Sequence, residues 1–124
     1  MDLQEIEEIL QNIRKICLEL PETEEQLDGF GYTTFQVHGK SFVKITERSG
    51  VCFKSNKENQ ALLIENDKYF ITPYIGRHGW VSIRDPKEGD WMELTDLIQE
   101  AYLRAAPKRL VEDWMKLHRK ESIL

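Results

Sequence analysis

The feature that most constrains this chain is the change of hydrophobic period at Pro21. Before it, Leu3, Ile6, Ile9, Leu10, Ile13, Ile16, Cys17 and Leu20 recur at three- and four-residue intervals, with Glu5, Glu8, Arg14, Lys15 and Glu19 on the other side. That spacing lays an apolar stripe along one face of a helix over residues 3–20. Proline closes the pattern because it lacks an N–H and clashes with the preceding turn. A helix that is apolar on one face has to lie on something. Beyond Pro21 the period shortens towards two, which predicts a sheet.

Thr34-Phe35-Gln36-Val37 and Ser41-Phe42-Val43-Lys44-Ile45 flank His38-Gly39-Lys40, a tight hairpin. Glu47-Arg48-Ser49-Gly50 then turns into Val51-Cys52-Phe53-Lys54. Ser55 and Glu58 stand at capping-box spacing and open a helix through Ala61, Leu62, Leu63 and Ile64, which Asn66-Asp67 breaks. Tyr69-Phe70-Ile71-Thr72 and Trp80-Val81-Ser82-Ile83-Arg84 read as two more strands around residues 73–79. A helix from about Met92 to Ala106 follows, and Pro107 starts another whose stripe is Leu110, Val111, Trp114 and Leu117. Thr23 and Gln26 also stand at capping-box spacing, so a short helical turn is expected ahead of Gly29 and Gly31. The order is α-β-β-β-α-β-β-α-α. Short strands joined by tight turns, with one-sided helices, predict an α+β two-layer single domain over residues 1–124. It holds an antiparallel sheet of about five strands covered by helices, and residues 107–124 form a basic C-terminal helix.

Charge narrows the function classes. The chain of 124 residues has 17 basic and 22 acidic groups, a net charge of −5. Residues 1–28 hold two basic groups against nine acids, whereas residues 101–124 hold six against three. Nonspecific nucleic-acid binders carry an overall basic excess, because releasing counterions from phosphates drives their affinity. The balance here opposes that class while leaving room for a local basic face. The acidic start, Met1-Asp2-Leu3-Gln4-Glu5, lacks the basic and then apolar stretch of a secretory signal, and no apolar run is long enough for a membrane span. A cytoplasmic protein with no membrane partner is expected. Cys17 and Cys52 fall on apolar positions and read as buried free thiols.

No catalytic constellation can be assembled from the residues. His38, His78 and His118 lie in separate segments without metal-ligand spacing, and there is no nucleophile elbow, P-loop or dinucleotide fingerprint. No catalytic residue, metal or cofactor is therefore assigned. The acids Glu19, Glu22, Glu24, Glu25 and Asp28 form a run around Pro21 without EF-hand spacing, and read as a solvated face. The most unusual segment is Tyr74-Ile75-Gly76-Arg77-His78-Gly79-Trp80. One reading makes it a contact for an anion or nucleic acid, with Arg77 gripping phosphate and an aromatic ring supporting a base. The other makes it a strand connection whose Tyr74 and Trp80 anchor the core, leaving Arg77 and His78 exposed. Strand alternation puts Trp80, Ser82 and Arg84 on one face and the core residues Val81 and Ile83 on the other. Lys108, Arg109, Lys116, Arg119 and Lys120 form a basic tail that is either a phosphate-binding or a simply solvated helix face.

Phe35-Gln36-Val37-His38-Gly39-Lys40-Ser41-Phe42, Tyr74-Ile75-Gly76-Arg77-His78-Gly79-Trp80-Val81, Asp90-Trp91, Ala101-Tyr102 and Ala106-Pro107-Lys108-Arg109-Leu110 together resemble the MmcQ/YjbR family. The resemblance runs from the first helix to about Leu110. It implies an α+β domain similar to frataxin-like (CyaY) and secretion-chaperone-like architectures. Its members are often labelled predicted DNA-binding proteins, with no agreed activity, substrate or catalytic residues. The expectation is a non-enzymatic domain binding DNA weakly and salt-dependently, with Tyr74, Arg77, His78, Trp80, Arg84, Lys108 and Arg109 as nucleic-acid or ligand contacts. The alternative is a module that binds a protein or small ligand through the 74–80 loop or the sheet face. A metal-handling role through the acidic pole is a third reading. Oligomeric state is left open by the sequence.

Overall fold

A computed structural model describes residues 3–123, with side chains through His118. Arg119 and Lys120 of the basic tail lie outside the described side chains. The order is α1 Leu3–Leu18, β1 Thr23–Leu27, β2 Thr33–Val37, β3 Lys40–Thr46, β4 Gly50–Lys54, α2 Lys57–Leu63, β5 Tyr69–Ile71, β6 Trp80–Ile83, α3 Trp91–Ala105 and α4 Lys108–Ile123. Single 3₁₀ turns cover Ile75–His78 and Glu88–Asp90. The strands form one antiparallel sheet in the order β1-β2-β3-β4-β6-β5. No helix among the described residues is long and apolar enough to cross a membrane.

The α+β architecture agrees with the expected class, and the strand count grows by one. Thr23-Glu24-Glu25-Gln26-Leu27 is an edge strand paired with β2, where the capping-box spacing had predicted a helical turn. Pairing decides this against local spacing, because β2 offers an unpaired row of N–H and C=O groups that a neighbour must satisfy. Glu25 points to the helical side and accepts Arg14 Nε at 2.7 Å and Nη2 at 2.8 Å, a two-pronged ion pair clasping α1 to the sheet edge. That bond holds the Glu25 carboxyl below the ordinary range, against a smaller push upward from burial. A second spacing is shifted by one residue. Asn56, not Ser55, caps α2, its Oδ1 accepting the Asn59 N–H at 2.8 Å.

Period-two alternation gives the sheet two different faces. In register, Phe35 opposes Val43, Val43 opposes Phe53, Phe53 opposes Val81, and Val51 opposes Ile83. These residues face α1 and α3 and join Ile9, Ile13, Cys17, Leu94, Ile98 and Tyr102 in one core. Phe42 and Val43 are both fully buried because the ladder slips between Phe35 and Gln36. This bulge turns two consecutive β3 side chains inward. Phe42 meets Tyr102 of α3 edge-to-face at 5.6 Å, and the Tyr102 hydroxyl donates to the Pro21 carbonyl at 2.9 Å. Each fully buried side chain of this size contributes about 1.5–3 kcal/mol of transfer energy, so the helical face carries the stability. Among the described residues no long helix lies over the opposite face, and only the short α2 packs there, beside β5 and β6. Gln26, Thr34, Lys44, Cys52, Ser82 and Phe70 form a register row across all six of its strands.

Candidate ligand-binding site

The middle of that second face is the floor of a cleft of about 420 Å³. Cys52, Thr46 and Ser49 line it from the sheet and the β3–β4 turn, the β1–β2 loop brings Asp28, Phe30 and Tyr32, and the segment after β5 brings Thr72, Pro73, Tyr74 and Ile75. Lys44 and Arg48 complete the lining. The two loops come from strand pairs at opposite ends of the sheet order and meet over one floor.

The floor is polar and internally bonded. Ser82 Oγ donates to Cys52 Sγ at 3.2 Å and lies 2.7 Å from Thr72 Oγ1. Because the single Ser82 proton is spent on sulfur, the Thr72 hydroxyl is the donor in that second contact. Burial pushes the Cys52 thiol up, against the hydrogen bonds of Ser82 and Thr72 and the charge of Lys44. The sulfur is thus held protonated at neutral pH, a wall atom and a poor nucleophile.

Both walls are stiff. Asp28 Oδ1 accepts the N–H groups of Phe30 at 2.8 Å and Tyr32 at 3.0 Å, and the Asp28 N–H donates to the Tyr32 carbonyl at 2.9 Å. The loop is therefore tied at both ends to one residue, and it presents Phe30 at 85% exposure with the Tyr32 ring 6.4 Å away. Burial works against the Asp28 carboxylate, but the Tyr32 and Phe30 N–H groups and Lys44 together hold its pKa below the ordinary range. On the other wall Tyr74 sits at φ 66°, ψ −54°, and the Ile75 N–H reaches back to the Pro73 carbonyl at 2.8 Å. This is the strained γ-turn, rare for any residue with a side chain. It persists because its surroundings over-determine it. The Gly76 N–H donates to the Thr72 carbonyl at 2.8 Å, and buried Gln60 donates to the carbonyls of Gly76 at 2.8 Å and Trp80 at 2.9 Å. Gly76 packs so closely on Ile71 that no Cβ fits there. The product of this strain is an 88% exposed Tyr74 ring at the cleft.

The structure separates residues that the sequence had grouped. Tyr74 lines the cleft, while Trp80 is 6% exposed on the same sheet face, next to α2. Arg77 and His78 are exposed on the 3₁₀ turn, Arg77 Nε donating to His78 Nε2 at 3.3 Å. Arg84 lays its guanidinium 4.7 Å over the Phe70 ring. Lys108 and Arg109 ride on α4, where Lys108 faces Glu112 at 3.9 Å and Arg109 bonds Glu22 at 3.1 Å. Glu22 also holds His38 at 2.7 Å. Glu22 and Glu25 are thus engaged in ion pairs and Asp28 in loop bonds, and no three metal-ligating side chains gather among the described residues. Phe30, Tyr32, Lys44 and Arg48 escaped the sequence reading. The one local signal was an aromatic set between glycines, Gly29-Phe30-Gly31-Tyr32, which has no apolar partner in either period.

Every strand and both cleft loops lie within residues 18–104, the segment that matches the sequence profile of the YjbR family. The chain belongs to the YjbR family. No curated protein matches it. The matched region contains the whole cleft and ends before Lys108 and Arg109 of α4.

Burial predicts how the 74–80 segment divides. Trp80→Ala is expected to cost about 3 kcal/mol, as for other buried aromatics cut to alanine. Arg77→Ala and His78→Ala should each change stability by less than about 0.5 kcal/mol. Denaturant unfolding of the three variants checks this, and a Trp80→Ala protein as stable as the parent would contradict the buried placement.

Proposed function

We propose that this YjbR-family protein is a binding module that takes a small organic ligand in the cleft on its open sheet face. The observation that carries this reading is the convergence of three exposed aromatic rings, Phe30, Tyr32 and Tyr74, from two separately stiffened loops over one cleft of about 420 Å³. Ligand pockets typically span about 300–1,000 Å³ and are largely preformed, with apolar walls and a few placed polar groups. Exposed rings held in place, one of them against backbone strain, bring little to the folded state and much to a partner.

Nucleic acid is the second reading, favoured by the same rings beside Lys44 and Arg48, since bases stack on aromatic faces. The charge distribution weighs against it. The net charge is −5, and Lys108 and Arg109 already face acids on a helix away from the cleft. Amide chemical shifts of isotope-labelled protein distinguish the readings, with one series titrating a library of small aromatic and aliphatic compounds and another titrating mixed single-stranded and duplex DNA at low and high salt. The expected result is a set of small compounds that moves the amides of residues 28–32, 44–52 and 72–76. Salt-sensitive DNA binding that is weakened by Arg77→Ala or by Lys108→Ala with Arg109→Ala would favour the nucleic-acid reading instead. No response in either series would overturn both.

A further inference from the structure

We infer that the ligand of this cleft is a flat aromatic anion, its ring lying against Tyr74 and the Phe30–Tyr32 pair and its carboxylate or phosphate held by Arg48 and Lys44. The inference rests on the small-ligand reading above and specifies its chemistry. Aromatic walls select flat partners, because ring faces and edges attract through their quadrupoles when rings stack with an offset or meet edge-on. The walls here are three rings on opposed loops, and the floor between them carries Cys52 beside Lys44.

Charge supplies the second half. Among the described residues the cleft is lined by one acid, Asp28, and two bases, Lys44 and Arg48, a local excess of one positive charge in a protein of net charge −5. Asp28 only partly answers that excess. Its Oδ1 is taken by two backbone N–H groups, and Oδ2 stands 3.7 Å from Lys44 Nζ, longer than a good charged hydrogen bond. Arg48 is exposed on the β3–β4 turn and makes no ion pair among the described residues. A planar guanidinium with a free fork beside aromatic rings is the side chain best suited to a carboxylate or phosphate on a flat scaffold. An acid group at the cleft therefore gains Arg48 outright and shares Lys44 with Asp28.

Calorimetry and chemical-shift titration with three aromatic probes and one saturated control, cyclohexane acetate, test this. Indole-3-acetate offers ring and carboxylate, phenyl phosphate offers ring and phosphate, and indole-3-acetamide offers the ring without charge. The expected result is that an anion binds about tenfold more tightly than the amide, the scale of one charge-assisted contact. The comparison of carboxylate with phosphate tells which acid the cleft prefers. Arg48→Gln should abolish the anion's advantage and leave amide binding unchanged. Tyr74→Ala should weaken all three probes. Asp28→Asn keeps an oxygen for the Phe30 and Tyr32 N–H groups while freeing Lys44, so it should tighten anion binding several-fold without touching the amide. No general loosening of the fold produces that gain, and parent-like melting of each variant excludes unfolding as a cause. Equal affinity for amide and anion would overturn the anionic assignment while leaving a small-ligand module standing. Equal affinity for cyclohexane acetate and indole-3-acetate would overturn the aromatic one. Binding of no probe, alongside a small compound from the wider library that does bind, would overturn this inference alone. Silence from probes and library alike would remove both readings.

Discussion

Ile13→Asp is expected to leave the protein unfolded under conditions where the parent is folded. Ile13 has no exposed surface and sits at the middle of the α1 stripe, among the residues that join α1 to the sheet and α3. A carboxylate there meets aliphatic and aromatic carbon, and it must either take up a proton or stay as an uncompensated buried charge. The cost is several kcal/mol, about the size of a small domain's entire stability. Ile13→Val removes only one methylene and should cost about 1 kcal/mol. Circular dichroism with thermal melting reads both. A parent-like melting temperature for Ile13→Asp would mean that α1 does not pack by this face.

Gly50→Ala is expected to destabilise by about 3 kcal/mol, the sum of a left-handed backbone penalty of 1–2 and a steric conflict of similar size. Gly50 opens β4 at φ 71°, and an added Cβ would lie 2.5 Å from the Ile83 carbonyl oxygen and against that of Arg84. Those atoms are backbone at the end of β6, so relief requires the β4–β6 pairing to open. Gly29→Ala is the control, because nothing lies within 4 Å of a Cβ placed there. It should fall within about 0.5 kcal/mol of the parent. If both substitutions proved equally harmless to chemical denaturation, the close approach of Gly50 to β6 would be wrong.

What could be read from the sequence follows from where each residue's neighbours come from. α1 and α3 were legible because their stripes repeat every three or four residues, and the repeat is a property of one segment. β2, β3, β4 and β6 were legible for the same reason at period two. β1 was hidden. Thr23-Glu24-Glu25-Gln26-Leu27 has a single apolar residue, which is 71% exposed, and only β2 makes it a strand. The cleft was half visible. Glycines drew attention to Tyr74 and Trp80, yet nothing local says which ring is buried, because Trp80 is enclosed near α2 while Tyr74 is held outward by a turn that Gln60 secures from fourteen positions upstream. Phe30 and Arg48 came to line the cleft only through a meeting of loops that are far apart in the chain.

The two faces of one sheet have a bearing on how such a protein can change over time. Alternate residues of β4 belong to different duties, Val51 and Phe53 to the packed interior and Cys52 to the cleft floor. On the proposed ligand-binding reading, substitutions at the exposed rings Phe30, Tyr32 and Tyr74 would alter what is recognised without removing a methyl group from the interior, so ligand preference can drift among descendants of one ancestor at little thermodynamic risk. The same arrangement makes the strands intolerant of length changes. Inserting or deleting one residue within β4 would exchange the two sets of side chains, and lose the interior and the cleft together.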